Sequence, residues 1–215
     1  QGLFEALLRD VELGAGTGGL TRHLIGRLPA GRATYRFTDI GAAFVARAQQ
    51  KYKDFPWMEF GVLDIENDPA SQGFAPHSCD VVVAANCLHA TRDMGSTLAH
   101  VRSLLAPGGL MLLIEGTRPQ RWIDLIFGLT EGWWRFEDFL RRPSHPLLDG
   151  PAWQSLAAEC GFAETAVIHG AGPALFEQSV VVARARNLPQ AEPARAQQEF
   201  PGLGEGVAPD ALLEA

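Results

Sequence analysis

Along this chain, short apolar runs alternate with longer segments in which apolar residues recur every three or four positions. The first run, at 11–13, leads into Gly14-Ala15-Gly16-Thr17-Gly18-Gly19, after which Leu20, Leu24, Ile25 and Leu28 fall on one helical face. This predicts a strand, a tight turn and a helix. A second strand is predicted at 35–38, ending at Asp39, with Phe44, Val45, Ala48 and Tyr52 marking the helix behind it. The run at 57–63 predicts a third strand closing at Asp64, and the run at 80–85 suits a central parallel strand covered on both faces. A helix over about 94–105 is expected to stop at Pro107-Gly108-Gly109, with a strand resuming at 110–114. Regular alternation of this kind means βαβ units, an α/β chain and a doubly wound, mostly parallel sheet.

Beyond Glu115 the rhythm changes. Residues 116–151 are rich in aromatics, Arg and Pro and too long for an ordinary connection, so helical insertions that shape a pocket are expected there. A helix over 152–160, ended by Gly161, and strands at 163–168 and 177–183 complete the core. From 187 the chain is Pro, Gln, Glu and Ala rich, which predicts a core of 1–186 followed by a linker tail at 187–215.

Composition narrows the function classes. At 215 residues and 47% hydrophobic content the chain can bury one sizeable core. A net charge of −7 without any basic run argues against a nucleic-acid partner, since that affinity rests on neutralised phosphates. The apolar runs are far shorter than the roughly 20 residues that cross a bilayer. No cationic segment with an apolar signal core opens the chain, so a soluble, cytoplasmic protein without a membrane partner is expected. Cys79, Cys87 and Cys160 lack CxxC spacing, and neither a disulfide framework nor a metal site is expected.

The glycine turn is the strongest local signal, yet alone it is ambiguous. Gly14, Gly16 and Gly19 also satisfy GxGxxG, the dinucleotide fingerprint. Glu12 stands two residues before the GxGxG turn of Gly14, Gly16 and Gly18, and an acid there suits a cationic amino-acid cofactor, with Glu12 facing the ammonium of S-adenosylmethionine. Asp39 stands where an acid would take the ribose hydroxyls, and Asp64 with Ile65 could meet the adenine amine and ring. Asn86, just past the fourth strand, joins these cofactor candidates. An Asp at a strand end often only caps the next helix. Three acids at three successive strand ends are harder to dismiss, because those ends converge on the ligand crevice of an open sheet.

The runs Asn86-Cys87-Leu88-His89-Ala90-Thr91, Leu105-Ala106-Pro107-Gly108-Gly109, Leu113-Ile114-Glu115-Gly116-Thr117-Arg118-Pro119-Gln120-Arg121-Trp122 and Gly128-Leu129-Thr130-Glu131-Gly132-Trp133-Trp134-Arg135-Phe136 carry a family resemblance. Over about 11–183 the sequence resembles the C-methyltransferase domains of modular type I polyketide synthases. The resemblance implies a Rossmann-like class I methyltransferase fold with a seven-stranded sheet and a helical insertion after the fifth strand. It also implies S-adenosylmethionine as methyl donor, the α-carbon of a β-ketoacyl thioester on an acyl carrier protein as acceptor, and neighbouring synthase domains as partners. The family's catalytic His and Glu match His89 and Glu115. Its N-terminal lid subdomain precedes the glycine turn, and with ten residues before the first strand that lid is expected to be mostly absent here.

Carbon methylation requires removal of a proton from between two carbonyls, a task suited to an imidazole, whose ordinary pKa lies near neutrality. Glu115 would fix the tautomer of His89 and stabilise its charged form. Asn86 is also a candidate donor to the enolate oxygen, and Trp133, Trp134 and Phe136 are candidates for walling the substrate pocket from water. The other histidines, at 23, 77, 100, 145 and 169, are read as surface or core residues, and Arg118 and Arg121 as a solvated face rather than a phosphate site. O-methylation, an inactive structural domain and an NAD-dependent dehydrogenase remain as rival readings.

Overall fold

The computed structural model describes residues 8–29, 31–170 and 178–187. Seven strands form one sheet: β1 (Leu8–Leu13), β2 (Ala33–Asp39), β3 (Met58–Val62), β4 (Cys79–Ala85), β5 (Leu105–Gly116), β6 (Phe162–His169) and β7 (Gln178–Ala185). Their order is β3-β2-β1-β4-β5-β7-β6. The pairs from β3 to β5 are parallel, and β7 runs antiparallel to both of its neighbours. The helices are α1 (Thr21–Leu24), α2 (Ala42–Lys51), α3 (Met94–Leu104), α4 (Arg121–Phe127) and α5 (Gly150–Glu159). Because the chain winds outward from β1 through β2 to β3 and then crosses back to lay β4 on the other side of β1, the carboxyl ends of β1 and β4 flank a topological switch point, where such sheets open a crevice.

Two apolar layers explain why these runs became strands. On one face Val11, Leu13, Val82, Met111 and Leu113 pack with Leu98 and Val101 of α3 and Trp153 of α5. On the other, Tyr35 and Phe37 pack with Ala48 of α2 and with Tyr52, which caps that helix. Asp93 starts α3 by accepting from Ser96 N at 2.6 Å, and Asp149 starts α5 by accepting from Ala152 N at 2.9 Å. Gly161, at φ +88°, ends α5 in the left-handed conformation open to glycine.

Three expected features come out differently. The helix after the glycine turn is cut to Thr21–Leu24, since Gly26 and Pro29 oppose its continuation. Pro107-Gly108-Gly109 does stop α3, but β5 begins at once at Leu105 and carries these residues as an irregularity, the register passing from Cys79↔Leu105 to Val81↔Leu110 with Gly108 at φ +76°. The segment after β5 contains one helix of seven residues, α4, and 128–149 is turns and irregular chain. Gly128, Gly132, Pro143 and Pro146 account for that. The predicted strand start at 177 and, beyond Asn187, the predicted tail lie outside the described residues. Among the described residues no helix is long and apolar enough to cross a membrane.

Candidate active site

The sheet brings His89 and Glu115 together. β4 ends opposite β5, with Ala85 beside Ile114, and Asn86 N donates to Ile114 O at 2.8 Å. The chain then makes one 3-10 turn, Leu88–Ala90, that returns His89 to the end of β5. Its Nδ1 lies 2.7 Å from Oε2 of Glu115, while Oε1 accepts from Cys87 N at 3.1 Å and Leu88 N at 2.9 Å. Glu115 is fully buried, so its charge is balanced by these three donors rather than by water. As a carboxylate can only accept, Nδ1 carries the hydrogen and Nε2 holds the lone pair. That nitrogen makes no hydrogen bond to a described residue. His89 borders a cavity of about 320 Å³ whose walls include Asn86, Ile123, Phe127, Trp133 and Leu147.

Of the three aromatics expected to wall this cavity, Trp133 alone does so. It meets the imidazole edge-on at 5.3 Å between ring centroids, stacks on Phe127 and donates from Nε1 to Asp124 Oδ1 at 3.1 Å. Trp134 is 47% exposed, packs on Trp133 from outside and donates to Gly128 O. Phe136 is buried elsewhere, beneath the guanidinium of Arg142 and against Phe139. The apolar walls Ile123, Phe127 and Leu147 were missed, although Ile123 and Phe127 stand four apart on α4 and so share a face. His145 is a satisfied core residue, as read: its Nε2 lies 3.0 Å from Asp124 Oδ1 and its Nδ1 accepts from Leu147 N, which seats it behind Trp133.

A second cavity of about 420 Å³ opens over the glycine turn and is lined by Glu12, Gly14, Gly16, Thr17, Asn86 and Gln178. A third, of about 120 Å³, is lined by Leu13, Ile40, Asp64, Ile65, Cys87 and Thr91 among others. Glu12 is buried and accepts from the hydroxyls of Thr21 and Tyr35, the latter at 2.5 Å. Burial pushes its carboxyl above the ordinary glutamate range, and the two hydroxyls pull it back. Asp39 borders none of these cavities: Oδ2 accepts from Gly16 N at 2.8 Å and Oδ1 from Gly41 N at 2.7 Å, so the carboxylate braces the glycine turn. Asp64 accepts from Glu66 N and Asn67 Nδ2 at the rim of the small cavity. Asn86 holds a left-handed backbone at φ +52° and its Oδ1 accepts from Gln178 Nε2 at 2.8 Å, which leaves its amide NH₂ as donor. Sequence reasoning missed Gln178, Cys87 and Ile40, the last a 60% exposed apolar residue directly after Asp39.

A family model described as a methyltransferase domain matches residues 11–111. The highly reducing polyketide synthase ALT1 of Alternaria alternata is 38% identical over 190 residues, which is 86% of this chain and 7% of that protein. The crystal structure of the CurJ carbon methyltransferase is 45% identical with a TM-score of 0.82, over 87% of this chain and 50% of that one. The chain belongs to the methyltransferase domains of polyketide synthases. The citrinin polyketide synthase CMeT domain is also similar, at 35% identity and TM-score 0.77 over 86% of this chain and 48% of its own. This methyltransferase domain therefore spans about half the length of those solved structures and a small part of the synthase.

The cofactor of the methyltransferase domain is S-adenosylmethionine, and the glycine turn fits it. A Cβ added to Gly14, at φ +57°, would stand 2.5 Å from Cys87 Cβ, and one added to Gly18, at φ +80°, would stand 3.0 Å from Tyr52 Oη. The turn is thus folded tightly against its neighbours, with an acid at one end and an apolar slot with its own acid at the other. That donor set matches a cationic amino acid joined to a nucleoside.

Proposed function

We propose that this domain methylates the α-carbon of a β-ketoacyl thioester carried on an acyl carrier protein, as one part of a larger synthase. The observation that carries the reading is the His89–Glu115 pair, whose free Nε2 serves a cavity that shares Asn86 and Gln178 with the cavity over the glycine turn. The shared wall is where a donor in one cavity and an acceptor in the other would meet. That CurJ is a carbon methyltransferase, and the citrinin synthase domain a CMeT domain, supports carbon as acceptor, and the relatives' being polyketide synthases supports an acyl thioester.

Glu12 would hold the ammonium group, Asp39 would reach the ribose while bracing Gly16, and Asp64 with Ile65 would meet the adenine. Bound there, S-adenosylmethionine supplies an electrophilic methyl group. His89 takes the α-proton at Nε2, and Glu115 stabilises the imidazolium that forms. The Asn86 amide donates to the enolate oxygen. Trp133, Phe127 and Ile123 keep water from the carbanion.

The test uses a synthetic β-ketoacyl carrier protein and labelled cofactor. His89→Ala retains cofactor affinity while methyl transfer falls by about 10² to 10⁴, the usual contribution of a positioned base. The label resides on carbon. A parent rate in that variant removes His89 from the chemistry, and label on oxygen transfers the domain to the O-methylating class.

A further inference from the structure

We propose that Arg142 is a positioning residue for the catalytic base, fixing His89 through its own carbonyl; this rests on the reading of His89 as the base. Arg142 is 1% exposed and comes from the irregular segment after β5, yet its guanidinium reaches the loop between β4 and α3. Nη1 donates to His89 O at 2.8 Å, and Nη2 donates to Thr91 O at 2.7 Å and Arg92 O at 3.0 Å. Nε donates to Asp138 Oδ1 at 2.6 Å, and the second oxygen of Asp138 accepts from Met94 N at 3.1 Å, at the start of α3. The Phe136 ring lies 5.1 Å below the guanidinium carbon.

A buried charge is a costly way to join two segments, since an apolar contact of the same size is often as stable or more so. What the guanidinium adds is direction. Its planar fork satisfies three inward carbonyls at once, which a lysine's single ammonium cannot reproduce. His89 is consequently held from two sides: Glu115 fixes the ring at Nδ1, and Arg142 fixes the backbone at the carbonyl of the same residue. A base displaced by as little as 1 Å loses about a hundredfold in rate, so both attachments bear on catalysis.

Arg142→Lys is the direct test, with Asp138→Asn as a second variant, whose single amide oxygen can accept from Met94 N or from Arg142 Nε but not from both. With the acyl carrier substrate, Arg142→Lys lowers kcat about ten- to a hundredfold and changes KM by less than about threefold. Asp138→Asn gives a smaller loss of the same kind. In a His89→Ala background neither substitution costs anything more, because its route to the reaction has been removed. By proton NMR, the downfield resonance of the His89 Nδ1–H, assigned by its disappearance in His89→Ala, moves and broadens in Arg142→Lys. The proposal is overturned by an unmoved resonance with a parent kcat, or by an equal loss in both backgrounds, which marks a purely structural role. A parent rate in His89→Ala alone sinks the base reading instead, so the two failures are told apart.

Discussion

Glu115 is a single side chain that receives three donors, and this decides what its substitution does. His89 Nδ1–H approaches one oxygen, and the N–H groups of Cys87 and Leu88 approach the other. A glutamine there has one acceptor oxygen and an NH₂ that must face one of the two sets. If its oxygen keeps the two backbone donors, the NH₂ points at Nδ1, the imidazole takes the opposite tautomer, and Nε2 arrives at the substrate already protonated. Glu115→Gln is therefore expected to lower kcat by about 10² to 10⁴ with the fold retained, the scale on which a wrong tautomer disables a triad. Nitrogen NMR of the labelled imidazole, which distinguishes the two tautomers, together with kcat, checks this. A parent-like rate, or an unchanged tautomer beside a lost rate, would separate Glu115 from the role of orienting His89.

The glycine turn and the loop after β4 are built as one piece, because the space that a side chain at Gly14 would need is filled by Cys87. Gly14→Ala combines left-handed strain of about 1–2 kcal/mol with overpacking of about 1–3 kcal/mol. It should lower the melting temperature and weaken cofactor binding in calorimetry, and Cys87→Gly in the same chain should recover only the packing share. Full recovery would mean that the backbone conformation at Gly14 carries no cost. The turn was legible in the sequence because glycines before a helical pattern have few other uses, and the placement of Glu12, Asp39 and Asp64 near the carboxyl ends of β1, β2 and β3 was legible because the apolar runs mark those strands. The carboxylate of Asp39 bracing Gly16 was not legible, since nothing in spacing distinguishes a ligand from a brace. Least readable was 116–149. Its helical pattern is interrupted by Gly128, Gly132, Pro143 and Pro146, and its shape comes from bonds of Asp124 to His145, Asp138 to Met94 and Arg142 to His89 that no local periodicity encodes. Trp133, Trp134 and Phe136 accordingly looked equivalent, and the structure sends them to three different places.

The stability of the whole domain is tied to pH through β1, an inner strand of the sheet. β1 lies between β2 and β4 and directs Asp10 and Glu12 to one face, both buried. Glu12 has two hydroxyl donors, whereas Asp10 Oδ1 has no hydrogen-bond partner among the described residues. Burial, and then the neighbouring charge of Asp80, push the Asp10 carboxyl up from 3.8 to about 6. An acid whose pKa is higher in the folded chain binds its proton more tightly there than in the unfolded chain. Stability therefore falls as pH rises from about 4 to about 6, and above that the full penalty is in force. A shift of this size corresponds to about 3 kcal/mol at most. Asp10→Asn removes the charge while keeping the shape, so the variant should be more stable than the parent at pH 8 by about 1–3 kcal/mol, with the advantage shrinking to nothing near pH 4. Glu12, raised in the same direction, leaves a residual slope of the same sign in both proteins. Urea unfolding at a series of pH values measures the difference. Parallel stability curves for parent and variant would show that Asp10 has the same proton affinity in the folded and unfolded chains, and that the burial of its carboxylate in β1 is relieved in solution.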